Sequence, residues 1–256
     1  MRIVSLCPSL TELVFDLGRG EGLVGITRYC VHPIEGVAAV EQVGGAKDPD
    51  LARIVALAPD VVLMNDEENR REDFESLAAA GLRCVSSLPR DPAGTAAMVR
   101  QIGAELGRAG PAEEIARDIE ARAERVRRAA EGLPVVRWAY LVWRKPWMTV
   151  NGDTFAHSLL TLPGGRNVFA ELPKRYPKIQ PADLSGADPD LVLLGTEPFP
   201  FAARHVAELA ELAGLPLERF LIADGEYLSW HGSRTPDGID YAEGLIRAAR
   251  GGPRAR

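Results

Sequence analysis

The sequence predicts an α/β protein of two Rossmann-like lobes with parallel sheets, joined by one long backbone helix. Three observations predict it. Short apolar runs alternate with helical segments, and the runs are continuously apolar, as strands covered on both faces require. Near the middle of the chain, residues 112–131 keep Ile115, Ile119, Ala123 and Val126 at helical spacing, enough for roughly 30 Å of helix. Finally, three blocks of the first half recur in order in the second.

The elements follow in sequence. Residues 3–6 are a strand. Ser9 and Glu12 stand at capping-box spacing and open a helix over 10–17 that Gly18 closes. Strands are expected at 23–26, 61–64 and 84–86, and helices at 50–57, 70–80 and 95–106. The long helix follows a break at 107–111. Ala58-Pro59-Asp60-Val61-Val62-Leu63-Met64 is then echoed by Asp188-Pro189-Asp190-Leu191-Val192-Leu193-Leu194. Asp48-Pro49-Asp50-Leu51 is echoed by Gln180-Pro181-Ala182-Asp183-Leu184, and 9–18 with 23–26 by 154–163 with 167–170. This organisation gives an N-terminal lobe over 1–93, a helical linker over 94–133 and a C-terminal lobe over 134–256. A helix at 241–249 packs back, and 250–256 form a polar, unordered tail.

Composition narrows the function. A hydrophobic fraction of 46% with 26% charged residues is that of a globular protein. A net charge of −6 argues against gripping nucleic acid through bulk positive charge. Cys7, Cys30 and Cys84 are too few and scattered for a disulfide framework or a thiolate zinc site. No window reaches the roughly 18 apolar residues of a membrane span, and no export signal is visible. The expected location is cytoplasmic, or periplasmic or cell-surface if a leader has been removed.

Ligands of open parallel sheets bind beyond the carboxyl ends of the strands, which singles out 7–9, 28–32, 65–68, 144–147, 196–199 and 225–234. Of sixteen aromatic residues, twelve lie within 138–230, including all four tryptophans. Trp138, Tyr140 and Phe220 fall inside expected strands and belong to the core. Trp143, Trp147, Phe199, Phe201, Tyr227 and Trp230 lie in or beside loops, where such rings suit a large flat ligand. Residues 137–178 carry seven Lys and Arg against Asp153 and Glu171, a local net of +5. That is a basic rim suited to carboxylates, phosphates or an anionic chelate, and Arg144 and, outside this stretch, Arg234, both at strand ends, are the foremost candidates.

No catalytic or nucleotide-binding motif is present. His32, His157 and His231 are candidate metal ligands if they meet in the cleft, with Glu67 or Glu197 beside them. These two glutamates stand at equal distance after the repeated Pro-Asp, and their alternative reading is as helix N-terminal carboxylates.

Ser5-Leu6-Cys7-Pro8-Ser9-Leu10-Thr11-Glu12-Leu13, Val24-Gly25-Ile26, Val43-Gly44-Gly45 and the stretch 51–63 resemble the vitamin B12 and iron-chelate (siderophore, haem) solute-binding proteins of ABC importers. Asn151-Gly152-Asp153 and Gly164-Gly165-Arg166-Asn167-Val168-Phe169 extend the resemblance into the second lobe. It implies a receptor that buries a large chelate between two lobes without covalent chemistry. It also places first-lobe contacts at Tyr29 and Asn65 and second-lobe contacts at Tyr227 and Arg234. The B12 receptors tend to have tryptophan where Asn65 stands. They dock on the importer through one glutamate per lobe: Glu72 suits the first lobe, but Phe201 occupies the second position. The expectation is therefore a non-catalytic binding protein for cobalamin, haem or a ferric siderophore, requiring no cofactor and with docking to an importer permease unsupported. A direct transition-metal-ion receptor is the alternative, and a metallocluster-type enzyme the third reading.

Overall fold

In the computed structural model, which describes residues 1–251, the chain divides into two compact units. The first comprises Met1–Pro89, Ala93–Glu120 and His231–Thr235; the second comprises Arg90–Pro92, Ala121–Trp230 and the chain from Pro236. The helical stretch read as a linker is thus shared between the units. A five-residue piece of the second half belongs with the first unit.

The first unit begins with β1 (Ile3–Ser5), α1 (Pro8–Asp16), β2 (Leu23–Ile26), the single turn α2 (Ile34–Val37) and α3 (Leu51–Ala56). It continues with β3 (Val61–Asn65), α4 (Arg71–Ala79), β4 (Cys84–Ser87), α5 (Pro92–Glu105) and the start of α6 (Ala109–Ala129). Its sheet is wholly parallel in the order β2-β1-β3-β4. Val4, Leu6, Ile54, Val62, Met64 and Leu77 form a core on it. The capping box read at Ser9 does not form. Cys7 is the N-cap with extended backbone, and no side chain caps the helix. Pro8, with its preset φ and no N–H to satisfy, starts the helix earlier than the spacing implied. The second helix likewise begins at Ala109, because Pro111 is harmless in a first turn whose N–H groups lack intrahelical acceptors.

The second unit adds β5 (Val136–Trp143), β6 (Met148–Thr149), α7 (Phe155–Thr161), β7 (Gly165–Asn167) and α8 (Pro181–Ala187). It ends with β8 (Leu191–Gly195), α9 (Ala203–Ala213), β9 (Phe220–Ala223), α10 (Gly225–Ser229) and α11 (Thr235–Gly251). Strand β5 pairs in parallel with β7 and β8, and β8 with β9. The order β7-β5-β8-β9 repeats that of the first unit, with β6 added antiparallel. The strand expected at 167–170 ends at Asn167, whose side chain accepts the Phe169 N–H at 2.9 Å and turns the chain.

The repeated Pro-Asp has a mechanical meaning in each unit. Asp60 accepts the Arg2 N–H at 2.6 Å and returns its own N–H to Arg2 O at 2.8 Å. Asp190 does the same with Arg137, at 2.8 Å in both directions. The aspartate latches the start of one strand to its neighbour, which sets the register that the apolar residues then fill. Trp138, Tyr140 and Phe220 are buried, as expected of core rings. The final helix is longer than read and includes 250 and 251; residues 252–256 of the expected tail lie outside the described residues.

Candidate functional site

In the first unit the loop after β2 presents Tyr29, 55% exposed, with the Arg28 guanidinium 5.4 Å from its ring centroid. Arg28 is oriented by Asp48, both of whose oxygens accept from Nη2 at 2.6 and 2.7 Å. A positioned cation beside an open aromatic face is a surface that can hold a flat anionic ligand.

Asn65 lies at the end of β3 and is buried. Its Nδ2 donates to Ser87 O at 2.7 Å and lies 3.1 Å from His231 Nε2, while its Oδ1 accepts the N–H groups of Glu67 and Glu68. All four hydrogen-bonding positions of the amide are engaged. Asn69, which the sequence reading passed over, completes the knot: Oδ1 accepts Asn65 N–H at 2.9 Å, and Nδ2 donates to Leu6 O and Ala46 O. No local motif marks it, because its partners come from three separate segments.

Arg234 belongs to the five-residue piece within the first unit. It forms a bidentate ion pair with Glu12 of α1 at 2.6 and 2.9 Å, both side chains being less than one-fifth exposed. His231 is buried, and neighbouring Gly232 packs over Leu13.

The second unit gathers its rings beyond β5 and β8. Trp143, 40% exposed, meets the edge of Phe199 at 5.7 Å; Phe199 and Phe201 lie 4.7 Å apart; Trp147 stacks on Phe201 at 6.0 Å with planes 4° apart. His205 of α9 packs edge-on to both phenylalanines, and its Nδ1 accepts the Ala202 N–H. Phe201 belongs to the core, with Trp147 and Phe199 packed against it. The ring cluster is therefore anchored from below and half open above. Arg144 lies over Trp147 at 5.8 Å and is held by Glu208 at 2.7 and 2.9 Å, a pair 64 residues apart that no sequence pattern announces.

Beyond β9, Tyr227 is half-buried against Tyr241 at 5.2 Å, and Trp230 is buried. Glu197 follows β8 and accepts from Ser229 Oγ at 2.7 Å. The basic stretch does not form one rim. Arg144 stands at the carboxyl end of β5 paired with Glu208, whereas Arg137 and Arg166 are neighbours at its amino end. Buried Phe201 cannot be a docking side chain; Glu72 is exposed in the first turn of α4.

The three histidines do not assemble into a metal centre. Among the described residues no group of three or more His, Cys, Asp or Glu is placed to hold an ion. His231 faces Asn65, and His157 packs against Trp138 with Nδ1 3.4 Å from Asn167 Nδ2. Burial pushes the His157 pKa down, against a smaller upward pull from Glu171. Burial likewise drives the Cys7 thiol up to about 12.

Residues 3–234, nearly the whole chain, match the family described as periplasmic binding proteins. The chain belongs to that family. The vitamin B12-binding protein of Pectobacterium carotovorum subsp. carotovorum (strain PC1) is 26% identical over 199 residues, covering 77% of this chain and 72% of its own length. That of Photorhabdus laumondii subsp. laumondii is 27% identical over 196 residues, covering 76% and 70%. Among solved structures, the periplasmic vitamin B12 binding protein BtuF of Vibrio cholerae superposes with a TM-score of 0.86 at 20% identity, covering 98% of both chains. The periplasmic heme-binding protein RhuT from Roseiflexus sp. RS-1 superposes at 0.83 with 23% identity, covering 97% of this chain and 98% of that one. These structures establish the fold, and the expected resemblance is borne out. The chain is a binding protein and not an enzyme. No helix among the described residues is long and apolar enough to cross a membrane. The expected cytoplasmic location finds no support in a family of periplasmic proteins.

Proposed function

We propose that the protein is a non-catalytic receptor for a large, flat metal chelate of the cobalamin or haem class, acting outside the cytoplasm and delivering its ligand to an importer permease. The carrying observation is the half-open ring cluster beyond β5 and β8, with Trp143 exposed, Trp147 stacked and Arg144 fixed above it. A ring wall with few rotors to freeze binds a macrocycle by area, while a positioned guanidinium recognises its carboxylates or phosphate. Tyr29 and Arg28 offer the same chemistry in the first unit. The vitamin B12-binding relatives and the heme-binding structures make cobalamin and haem the first ligands to test. A receptor for bare metal ions is disfavoured because the described residues hold no set of three ligands.

Titration with cyanocobalamin, haemin and a ferric siderophore, followed by tryptophan fluorescence, tests the reading. Saturable quenching by one chelate, weakened tenfold or more in Trp143→Ala and in Tyr29→Ala, is expected. Failure of all three chelates to quench, with tight binding of zinc or manganese instead, would overturn it. Recovery of the native protein with the spheroplasts, not the periplasmic or released fraction, would refute the location.

A further inference from the structure

The second unit carries a cavity of about 360 Å³ lined by Arg137, Arg166, Glu171 and Ala187, at the amino end of β5 and away from the ring cluster. In the parallel register of β5 and β7, Arg137 and Arg166 are direct neighbours. Paired residues of adjacent strands point to one face, and both arginines line the cavity, Arg137 half-buried and Arg166 exposed. Arg137 is held by donating from Nη2 to Ala187 O, yet its Nε is buried with no hydrogen-bond partner. Arg166 makes no ion pair among the described residues, while the charge of Glu171 acts on His157. Of the nearby acids, Asp188 pairs with Arg219 and also feels the charge of Arg137, and Asp190 accepts the Arg137 N–H.

We infer that this cavity is a second ligand site, distinct from the chelate surface, for a small carboxylate that bears an adjacent hydroxyl or amino group. The planar guanidinium donors match a carboxylate. Glu171 on the wall repels a bare anion and demands a hydrogen-bond donor next to it. The volume admits a molecule of a few carbons and excludes a macrocycle. The site does not rest on the chelate reading, since none of its residues belongs to the ring cluster.

The test is calorimetric titration of the full chain with malate, succinate and inorganic phosphate, repeated on Arg166→Gln and Glu171→Gln. Malate is expected to bind, succinate and phosphate at least fivefold more weakly. Arg166→Gln should weaken malate about tenfold or more, and Glu171→Gln should erase the preference over succinate. Without ligand, Arg166→Gln should leave the melting temperature unchanged, since the side chain is exposed, whereas loss of a structural arginine would lower it. Absence of malate binding, binding unchanged in Arg166→Gln, or phosphate binding as tightly as malate would each overturn the assignment. Loss of chelate quenching in a folded Arg166→Gln protein would overturn the separateness of the sites.

Discussion

Removing one partner of the Glu12–Arg234 pair should release the segment His231–Thr235 from α1. The two charge centres are about 4 Å apart, worth about 1 kcal/mol in water and about 4 kcal/mol at the effective dielectric of a protein surface. Exposed pairs deliver about 0–1 kcal/mol, and breaking a buried one costs about 3–5 kcal/mol. With side chains 15% and 18% exposed, this bidentate pair lies between those limits. Glu12→Gln should then cost about 2 kcal/mol, close to thirtyfold in a local opening equilibrium. The reporting groups are the amides of Gly232, which donates to Thr235 Oγ1, and Thr235, which donates to Gly232 O, both at 3.1 Å. Native-state hydrogen exchange at these amides should accelerate roughly thirtyfold in Glu12→Gln and in Arg234→Gln. The double variant should lose little more than either alone, because either change by itself already breaks the pair. Acceleration below threefold, or single effects that simply add, would refute the tether. Tryptophan fluorescence is the wrong probe, since all four tryptophans lie in the second unit.

Other outcomes follow from single groups. Tyr140 Oη is buried without a hydrogen-bond partner, so Tyr140→Phe should stabilise by about 1 kcal/mol in urea titrations; destabilisation would show a hidden partner. Burial lowers the His157 pKa in the folded protein, so the unfolded chain binds more protons as pH falls below about 6.5. Its contribution is fully present above that pH and lost towards the lower folded pKa; His157→Asn should flatten the fall in stability below about pH 6.5, and an unchanged slope would contradict the burial. Burial raises the pKa of all three thiols, but Cys7 and Cys30 are buried while Cys84 is only half-buried. Native protein should react with a thiol reagent at Cys84 first, and guanidinium chloride should expose two further thiols; rapid labelling of Cys7 would refute the packing. Gly165→Ala brings a Cβ within 2.2 Å of Leu160 O and 2.6 Å of Trp138 Nε1, and should lower stability by about 2 kcal/mol or more by thermal melting.

Strand positions, the internal repeat and the parallel sheets were readable because buried strands, Pro-Asp latches and glycine stops are local patterns, each confined to a few consecutive residues. The loops beyond β2, β5 and β8 were readable for the same reason: a parallel sheet sends its ligand-facing loops to one end. What each side chain does there was decided by partners distant in sequence. Asn65 reads as a contact, but Ser87, Asn69 and His231 enclose it. Arg144 reads as free charge, but Glu208 holds it. Arg234 reads as ligand-facing, but its Nε and Nη2 donate to Glu12. Composition counted Arg137, Arg144 and Arg166 as one basic rim, whereas strand register puts two of them at the opposite end of β5 from the third. Local sequence sets which segments are strand, helix or turn, because those choices depend on near neighbours. Hydrogen bonds and ion pairs across tens to hundreds of residues depend on where the chain returns, and only the tertiary structure decides that.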